Sequence, residues 1–304
     1  MTSPRLTLIM LDPETPGGRR ADAAAPALPV TDLGVARGDG VFETLLAVDG
    51  RPRKLGAHLD RLAASARVMD LDLPERAEWE RAVEHGLRAH AESFGAEPGG
   101  RLAVRLVATR GDDAAAETRP TCWVQVAPST LPTREASEPI SVLLLDRGYD
   151  SGAAERAPWL LLGAKTLSYA VNMAALRHAK KHGADDVVFV TSDGKLLEGP
   201  TSTLLMARVA EDGTKTLITP ERRTGILPGT TQAAIFELAK AAGWELGYGP
   251  LESGALFESD AAWLASSVRL LARIETADGR PIGADPALAE RLTDELWEMA
   301  ESIT

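Results

Sequence analysis

The chain has 304 residues, 44% of them hydrophobic and 25% charged, with a formal net charge of −11 and one cysteine, Cys122. That length holds two modest domains or one large one with a real core, and the acidic balance argues against a nucleic-acid or anionic-membrane partner, which needs a basic face. A single cysteine builds neither an intrachain disulfide nor a cysteine-rich metal site, the run Leu6–Leu11 is short for a signal segment, and no run approaches the roughly 20 apolar residues of a membrane span; the expected setting is a reducing cytoplasm. In chain order, RGDG at 37–40 predicts a tight loop, VFETLLAV at 41–48 a strand, Asp49-Gly50 a hairpin turn and Arg51–Leu55 the return. Ala57–Leu71 is the first clear helix, with Leu59, Leu62, Ala63, Ala66 and Met69 on one apolar face and His58 and Arg61, three apart, on another. A second helix runs from about Pro74 to Ser93, lined by Trp79, Ala82, Val83, Gly86 and Leu87. RLAVRLVAT (101–109) and TCWVQVA (121–127) alternate as strands, which sets Arg101, Ala103, Arg105 and Val107 on one face.

PSTLPTREASEP at 128–139, with its three prolines, reads as a linker, so the expected domains are 1–127 and 140–304. Beyond it, Ile140–Leu145 predicts a strand. Asn172–His182 predicts a helix with Met173, Leu176 and Ala179 inward, stopped by Gly183. Val187–Thr191, Leu204–Val209, Thr216–Thr219 and Ala261–Ser267 read as strands, with turns at Ser192-Asp193-Gly194, Asp212-Gly213 and Asp278-Gly279. AAIFELAKAA is a helix ended by Gly243, and Pro286–Ser302 is an amphipathic one with Leu288, Leu292, Leu296 and Met299 inward.

Two side chains stand out for their chemistry. Lys165 closes an apolar run and Glu198 enters a Gly-Pro turn. Desolvation lowers a lysine pKa, as a Schiff-base lysine requires, and a carboxylate facing a pyridine nitrogen keeps that nitrogen protonated and the ring an electron sink. The pair suits the two ends of one flat cofactor. GTTQ at 229–232 offers a close-approach glycine, then Thr230 and Thr231 at a helix start, where N–H groups and the dipole favour phosphate; an ordinary threonine N-cap is the competing reading. Arg61 suits a bidentate phosphate contact or a solvated helix face. Ser266 and Ser267 suit a hydroxyl ligand or a strand cap.

The segment KT with Tyr169 and Asn172, then EGPTST, then GILPGTT, with HLDRL upstream, follows the order of the class IV aminotransferases, the fold type IV enzymes of pyridoxal phosphate. RGDGVFETL and GAHLDRLAASARVMDL resemble the N-terminal signatures of that family, and KTLSYAVNMAALRHAKKHGADDVVFVTSDGKLLEGPTST is similar to its cofactor-lysine region; the resemblance covers roughly Thr31 to Ile282. It implies an α+β fold of two domains, an N-terminal α/β domain and a C-terminal domain with a β-barrel-like core, with pyridoxal 5'-phosphate in the cleft between them and a homodimer as the usual assembly. It also implies Lys165 as the Schiff-base lysine and general acid/base and Glu198 as the partner of the pyridine nitrogen. Arg61, Thr230, Thr231 and Ser267 become the phosphate ligands, and Tyr169 flanks the phenolic oxygen. Thr203 stands where many members have asparagine, which puts that asparagine's hydrogen bond in question but not the carboxylate. The run PWLLLGAKTLSYAVNMAALRHA with EGPTST is most similar to the aminodeoxychorismate lyase-like branch, whose members release 4-aminobenzoate and pyruvate for folate synthesis. A substrate with two carboxylates wants cations, and Arg105, Arg110 and Arg119 are the candidates. The alternative is an aminotransferase acting on D-amino or branched-chain amino acids.

Overall fold

The computed structural model describes residues 5–96, 99–129 and 133–304. The chain divides into two units: Met1–Leu131 with Ala164–Tyr169 and Thr304, and Pro132–Gly163 with Ala170–Ile303.

In the first unit, β1 (Thr7–Asp12) and β2 (Thr15–Ala21) form a hairpin ahead of any element the sequence predicts. A short helix α1 (Leu33–Arg37) ends at Gly38, and β3 (Gly40–Val48) follows. Asp49 and Gly50 both take positive φ, as a two-residue hairpin loop matched to strand twist requires. The return strand β4 is only Arg51–Pro52, because Lys54 caps the start of α2 (Leu55–Val68) two residues later. The helix α3 (Arg76–Phe94) and the strands β5 (Arg101–Thr109) and β6 (Thr121–Pro128) complete the unit. Its sheet is antiparallel throughout, in the order β2-β1-β6-β5-β3-β4. One face, carrying Ile9, Val41, Leu45, Leu106 and Val124, is closed by Leu59 and Leu62 of α2 and Trp79 and Val83 of α3. Side chains alternate along a strand, so Glu43 falls on this core face, fully buried. Phe42 and Thr44 point the other way, and Arg105 sits directly across from Thr44.

The segment Ala164–Tyr169 belongs to this unit because its backbone joins the edge of β3. Phe42 N–H donates to Lys165 O, Leu167 N–H donates to Gly40 O, and Val41 and Thr166 form an antiparallel bridge. The sequence places this stretch inside a continuous 140–304 domain; backbone pairing removes it.

The second unit has a mixed eight-stranded sheet. Its members are β7 (Ile140–Asp146), β8 (Asp186–Val190), β9 (Thr203–Val209), β10 (Lys215–Pro220), β11 (Glu245–Gly249), β12 (Ala261–Ser266), β13 (Leu270–Ala277) and β14 (Arg280–Pro281). The order is β11-β10-β9-β12-β13-β7-β8, with β14 beside β13. Helices α4 (Ala153–Arg156), α5 (Ala170–Lys181), α6 (Thr230–Ala241) and α7 (Pro286–Ser302) complete it. Helix α5 turns Ala175 and Ala179 inward and leaves Met173 exposed, against the expectation for that residue. In α7, Leu292 and Leu296 are buried with Trp297 and Ala300, while Leu288 and Met299 are half-buried.

Of the expected linker, Pro128 ends β6, residues 130–132 lie outside the described residues, and Arg134 pairs with Glu290 and Asp294 of α7. The fold class is α+β. Among the described residues, no helix is long and apolar enough to cross a membrane.

Candidate active site

Lys165 is half-buried in the first unit. Its backbone N–H donates to Ser65 Oγ at 3.0 Å, and its Nζ lies 4.4 Å from the centre of the Phe42 ring and 5.7 Å from that of Tyr169. The two rings meet edge to face with centroids 5.3 Å apart. Aromatic faces attract a cation, so two rings as well as solvent set the surroundings of this amine. Arg105 lies over the same Phe42 ring, 4.7 Å from its centre. The residue as a whole is exposed, but the desolvation of its guanidinium against the ring holds its pKa below the usual arginine value, and among the described residues no carboxylate pairs with it.

Beneath the opposite face of β3, Arg61 clamps Glu43 through two parallel bonds, Nε to Oε1 at 2.7 Å and Nη2 to Oε2 at 2.8 Å. His58 Nδ1 meets Oε2 at 2.7 Å. Positions 58, 61 and 65 of α2 share one helical face, so His58, Arg61 and Ser65 point to the same side. Burial alone would raise the Glu43 pKa; hydrogen bonds from Arg61 and His58 outweigh it and bring the carboxyl down to about 2. Burial pushes the His58 pKa below its ordinary value, against the pull of Glu43. Arg61 is therefore not a solvated helix arginine: its side chain is 11% exposed and oriented by a carboxylate that stays ionised. A guanidinium has five N–H donors, and this clamp takes two of them.

The other two arginines have different jobs. Arg110 bonds Asp39 through Nε at 2.8 Å, and its two other nitrogens reach the carbonyls of Met69 and Asp70 at the end of α2. That is a cation closing a helix C-terminus, not a guanidinium presented to a ligand. Arg119 is exposed and paired with exposed Glu117.

In the second unit, Glu198 stands on the return from β8. Phe189 N–H donates to its carbonyl, and Leu227 N–H, from the GILPGTT segment, donates to its Oε1 at 3.1 Å. Tyr149 is pushed up to about 12, first by burial and then by the Glu198 charge, while Arg147 opposes the shift. Asn172 joins α5 to the EGPTST turn: its Nδ2 donates to Pro200 O at 2.7 Å, and its Oδ1 accepts from Arg147 at 3.3 Å. Helix α6 begins at Thr230, with Gly229 at the N-cap and no side-chain cap bond. The Thr230 and Thr231 hydroxyls each lie 3.1 Å from Ser267 Oγ. Three hydroxyls and the N–H groups of a twelve-residue helix thus gather at one point, a donor set that fits a phosphate. The plain threonine-cap reading falls, since neither threonine is the N-cap.

The sequence places His58 beside Arg61 on one helix face without a role, and does not single out Glu43, Ser65, Phe42, Arg147, Tyr149 or Leu227. Glu43 carried a signal: a carboxylate in a core-facing register between Val41 and Leu45 requires a buried cation.

Residues 40–276 match the family model for amino-transferase class IV. The chain is 45% identical over 266 residues to a bifunctional aminodeoxychorismate lyase / D-amino acid transaminase of Mycobacterium tuberculosis, covering 86% of this chain and 89% of the relative. It is 29% identical to an aminodeoxychorismate lyase of Bacillus subtilis, over 83% of this chain and 82% of that one. Among solved structures, a fold IV transaminase from Curtobacterium pusillum superposes with a TM-score of 0.87 at 41% identity, over 98% of this chain and 99% of that one. A hypothetical aminotransferase from M. tuberculosis in its PLP-bound form gives a TM-score of 0.83 at 41% identity, over 97% and 98%.

Proposed function

This chain belongs to the class IV aminotransferase family, enzymes that use pyridoxal 5'-phosphate, and from that premise we propose that it is a 4-amino-4-deoxychorismate lyase, forming 4-aminobenzoate and pyruvate. Bound pyridoxal phosphate supplies an electron sink for the charge left when a proton leaves the substrate carbon next to nitrogen. Lys165 Nζ holds the cofactor covalently and moves that proton. Glu198, fixed by Leu227 N–H, keeps the pyridine nitrogen protonated. Arg61, oriented by Glu43, binds the phosphate with Thr230, Thr231 and Ser267, and Tyr169 flanks the phenolic oxygen. Arg105 binds a substrate carboxylate.

The observation that carries the lyase reading is Arg105. Arg105 is an exposed residue whose guanidinium shares the Phe42 ring with Lys165 and has no carboxylate partner among the described residues. Such a cation suits a substrate richer in carboxylates than an ordinary amino acid. Arg110 and Arg119, committed elsewhere, are left out of this role. The M. tuberculosis relative supports the lyase and also a second reading, D-amino acid transamination.

The test is incubation of the protein with aminodeoxychorismate and no oxo-acid acceptor. Catalytic release of 4-aminobenzoate supports the lyase. Turnover of D-alanine only after an oxo acid is added, with no 4-aminobenzoate formed, assigns the transaminase instead. Replacing Lys165 with alanine abolishes either activity, with a loss of at least about 10²–10⁴-fold. The proposal includes a homodimer acting in the cytoplasm on a small amino substrate; sedimentation of the purified protein tests the assembly.

A further inference from the structure

Gly229 is not needed for its backbone angles. Its φ is −68° and ψ 122°, open to any residue. What excludes a side chain is space: a Cβ built there would lie 2.5 Å from Thr203 Oγ1, 3.4 Å from Thr203 Cβ and 3.1 Å from Gln232 Cβ. Thr203 is 6% exposed and opens β9. It pairs in register with Ala265 of β12, two residues before Ser267, whose hydroxyl meets those of Thr230 and Thr231. The contacts close a ring, from Thr203 to Gly229, along the chain to Thr230, across to Ser267, and back through Ala265. Among the described residues the Thr203 hydroxyl has no side-chain hydrogen-bond partner, so what it brings to the ring is shape.

We propose that Thr203 is a positioning residue for the phosphate end of the cofactor, filling the space beside Gly229 and thereby fixing where the first turn of α6 presents its N–H groups and hydroxyls. A threonine is branched at Cβ and stiff about χ1, so it holds a neighbouring backbone at a set distance. The inference rests on the reading of the α6 N-terminus as the phosphate site.

The experiment is a double-mutant cycle on the full chain, reading the affinity of the cofactor-free protein for pyridoxal phosphate and for phosphate-free pyridoxal by absorbance titration. Gly229→Ala is expected to weaken pyridoxal phosphate about tenfold or more, the effect of overpacking a closed site, while leaving pyridoxal nearly unchanged. Adding Thr203→Ala removes the 2.5 Å obstruction and returns the affinity to within about threefold of the parent. Thr203→Val, which keeps the branched shape and loses the hydroxyl, retains the preference for the phosphorylated form.

Failure of the double variant to recover, or loss of that preference in Thr203→Val, overturns the proposal. Should Gly229→Ala not fold, recovery of folded, cofactor-binding protein in the double variant has the same meaning, and its absence the opposite one. Thr231→Val separates this inference from the reading beneath it. If it leaves the preference for the phosphorylated form untouched, the phosphate site itself is misplaced. If it lowers the preference while the cycle shows no coupling, only the role of Thr203 is lost.

Discussion

The charged cluster of the first unit and the hydroxyl cluster of the second are built on opposite physics. Glu43, Arg61 and His58 are buried ions and a buried imidazole, each tolerable only because the others are there. Thr230, Thr231 and Ser267 are neutral, and their partner is the end of a helix that exists for other reasons. The first arrangement concentrates its energy in one carboxylate. The second spreads it over several weak donors, so it should degrade gradually.

The largest expected effect follows from breaking the ionic cluster at its centre. Glu43→Gln keeps the shape of the side chain and leaves Arg61 buried without its counter-charge. Removing one partner of a buried pair costs about 3–5 kcal/mol, a drop of roughly 10 °C in melting temperature for a chain of this size. Thermal unfolding of the two proteins at pH 7 measures it. A fall of only a degree or two would mean that Glu43 is a passive neighbour of Arg61.

Acid sharpens the same contrast. Glu43 has a folded pKa of about 2 against an ordinary 4.5. A depressed carboxylate pKa stabilises the fold above the unfolded value, and that stabilisation is lost as pH falls through the folded value. His58, also depressed, acts in the same direction, with its contribution intact above its ordinary 6.5 and lost below. Denaturation midpoints should therefore decline from pH 6.5 downward and most steeply below pH 4.5, with about 3 kcal/mol from Glu43 at stake. Glu43→Gln should flatten the lower part of that curve. Parallel curves for the two proteins would remove the carboxylate from the explanation. The hydroxyl cluster has no group that titrates in this range.

Ser267→Ala tests the other side of the comparison. It removes the atom on which the Thr230 and Thr231 hydroxyls converge, at a cost of about 1 kcal/mol per lost hydrogen bond. Expected outcomes are a small change in melting temperature, independent of pH between 4 and 7, and a several-fold weaker hold on pyridoxal phosphate at pH 7. A collapse as deep as that of Glu43→Gln would show that the two clusters are not different in kind.

The two clusters were also unequally legible in the sequence. Thr230, Thr231 and Glu198 lie beside glycines and prolines that mark a helix start and a turn, and such local signals survive without the fold. By its own pattern Arg61 was visible only as a basic residue on a helix, and the family resemblance alone assigned it to the phosphate. Its clamp depends on Glu43, eighteen residues away and on the core face of β3, a pairing that needs the sheet and α2 together. The same limit explains the rest. β1, β2, β11 and β13 lack the bounded alternation that identifies a strand, and the transfer of Ala164–Tyr169 to the first unit is a backbone event that leaves no side-chain pattern. In α5 Ala179 is inward as expected, but the small Ala175 is buried while Met173, to which hydrophobicity pointed, is exposed.

The smallest effect concerns three arginines that the sequence offers for one role, Arg119 as the weaker candidate. Arg105 and Arg110 fall within the strand-loop run RLVATRG and Arg119 beyond it, and each was a candidate for a substrate carboxylate. Their surroundings divide them. Arg110 donates to Asp39, Met69 O and Asp70 O, so Arg110→Ala should lower stability by about 1–3 kcal/mol with KM little changed, because it unties the end of α2. Arg105→Ala should do the reverse, raising KM at nearly constant melting temperature, since a cation with no carboxylate partner has little to lose on removal. Arg119→Ala should change neither quantity measurably, because both members of its exposed pair are solvated with or without each other. The order is what matters. If Arg119 moved KM while Arg105 did not, the guanidinium over Phe42 would be an ornament of packing, and the substrate's carboxylate would be bound somewhere else.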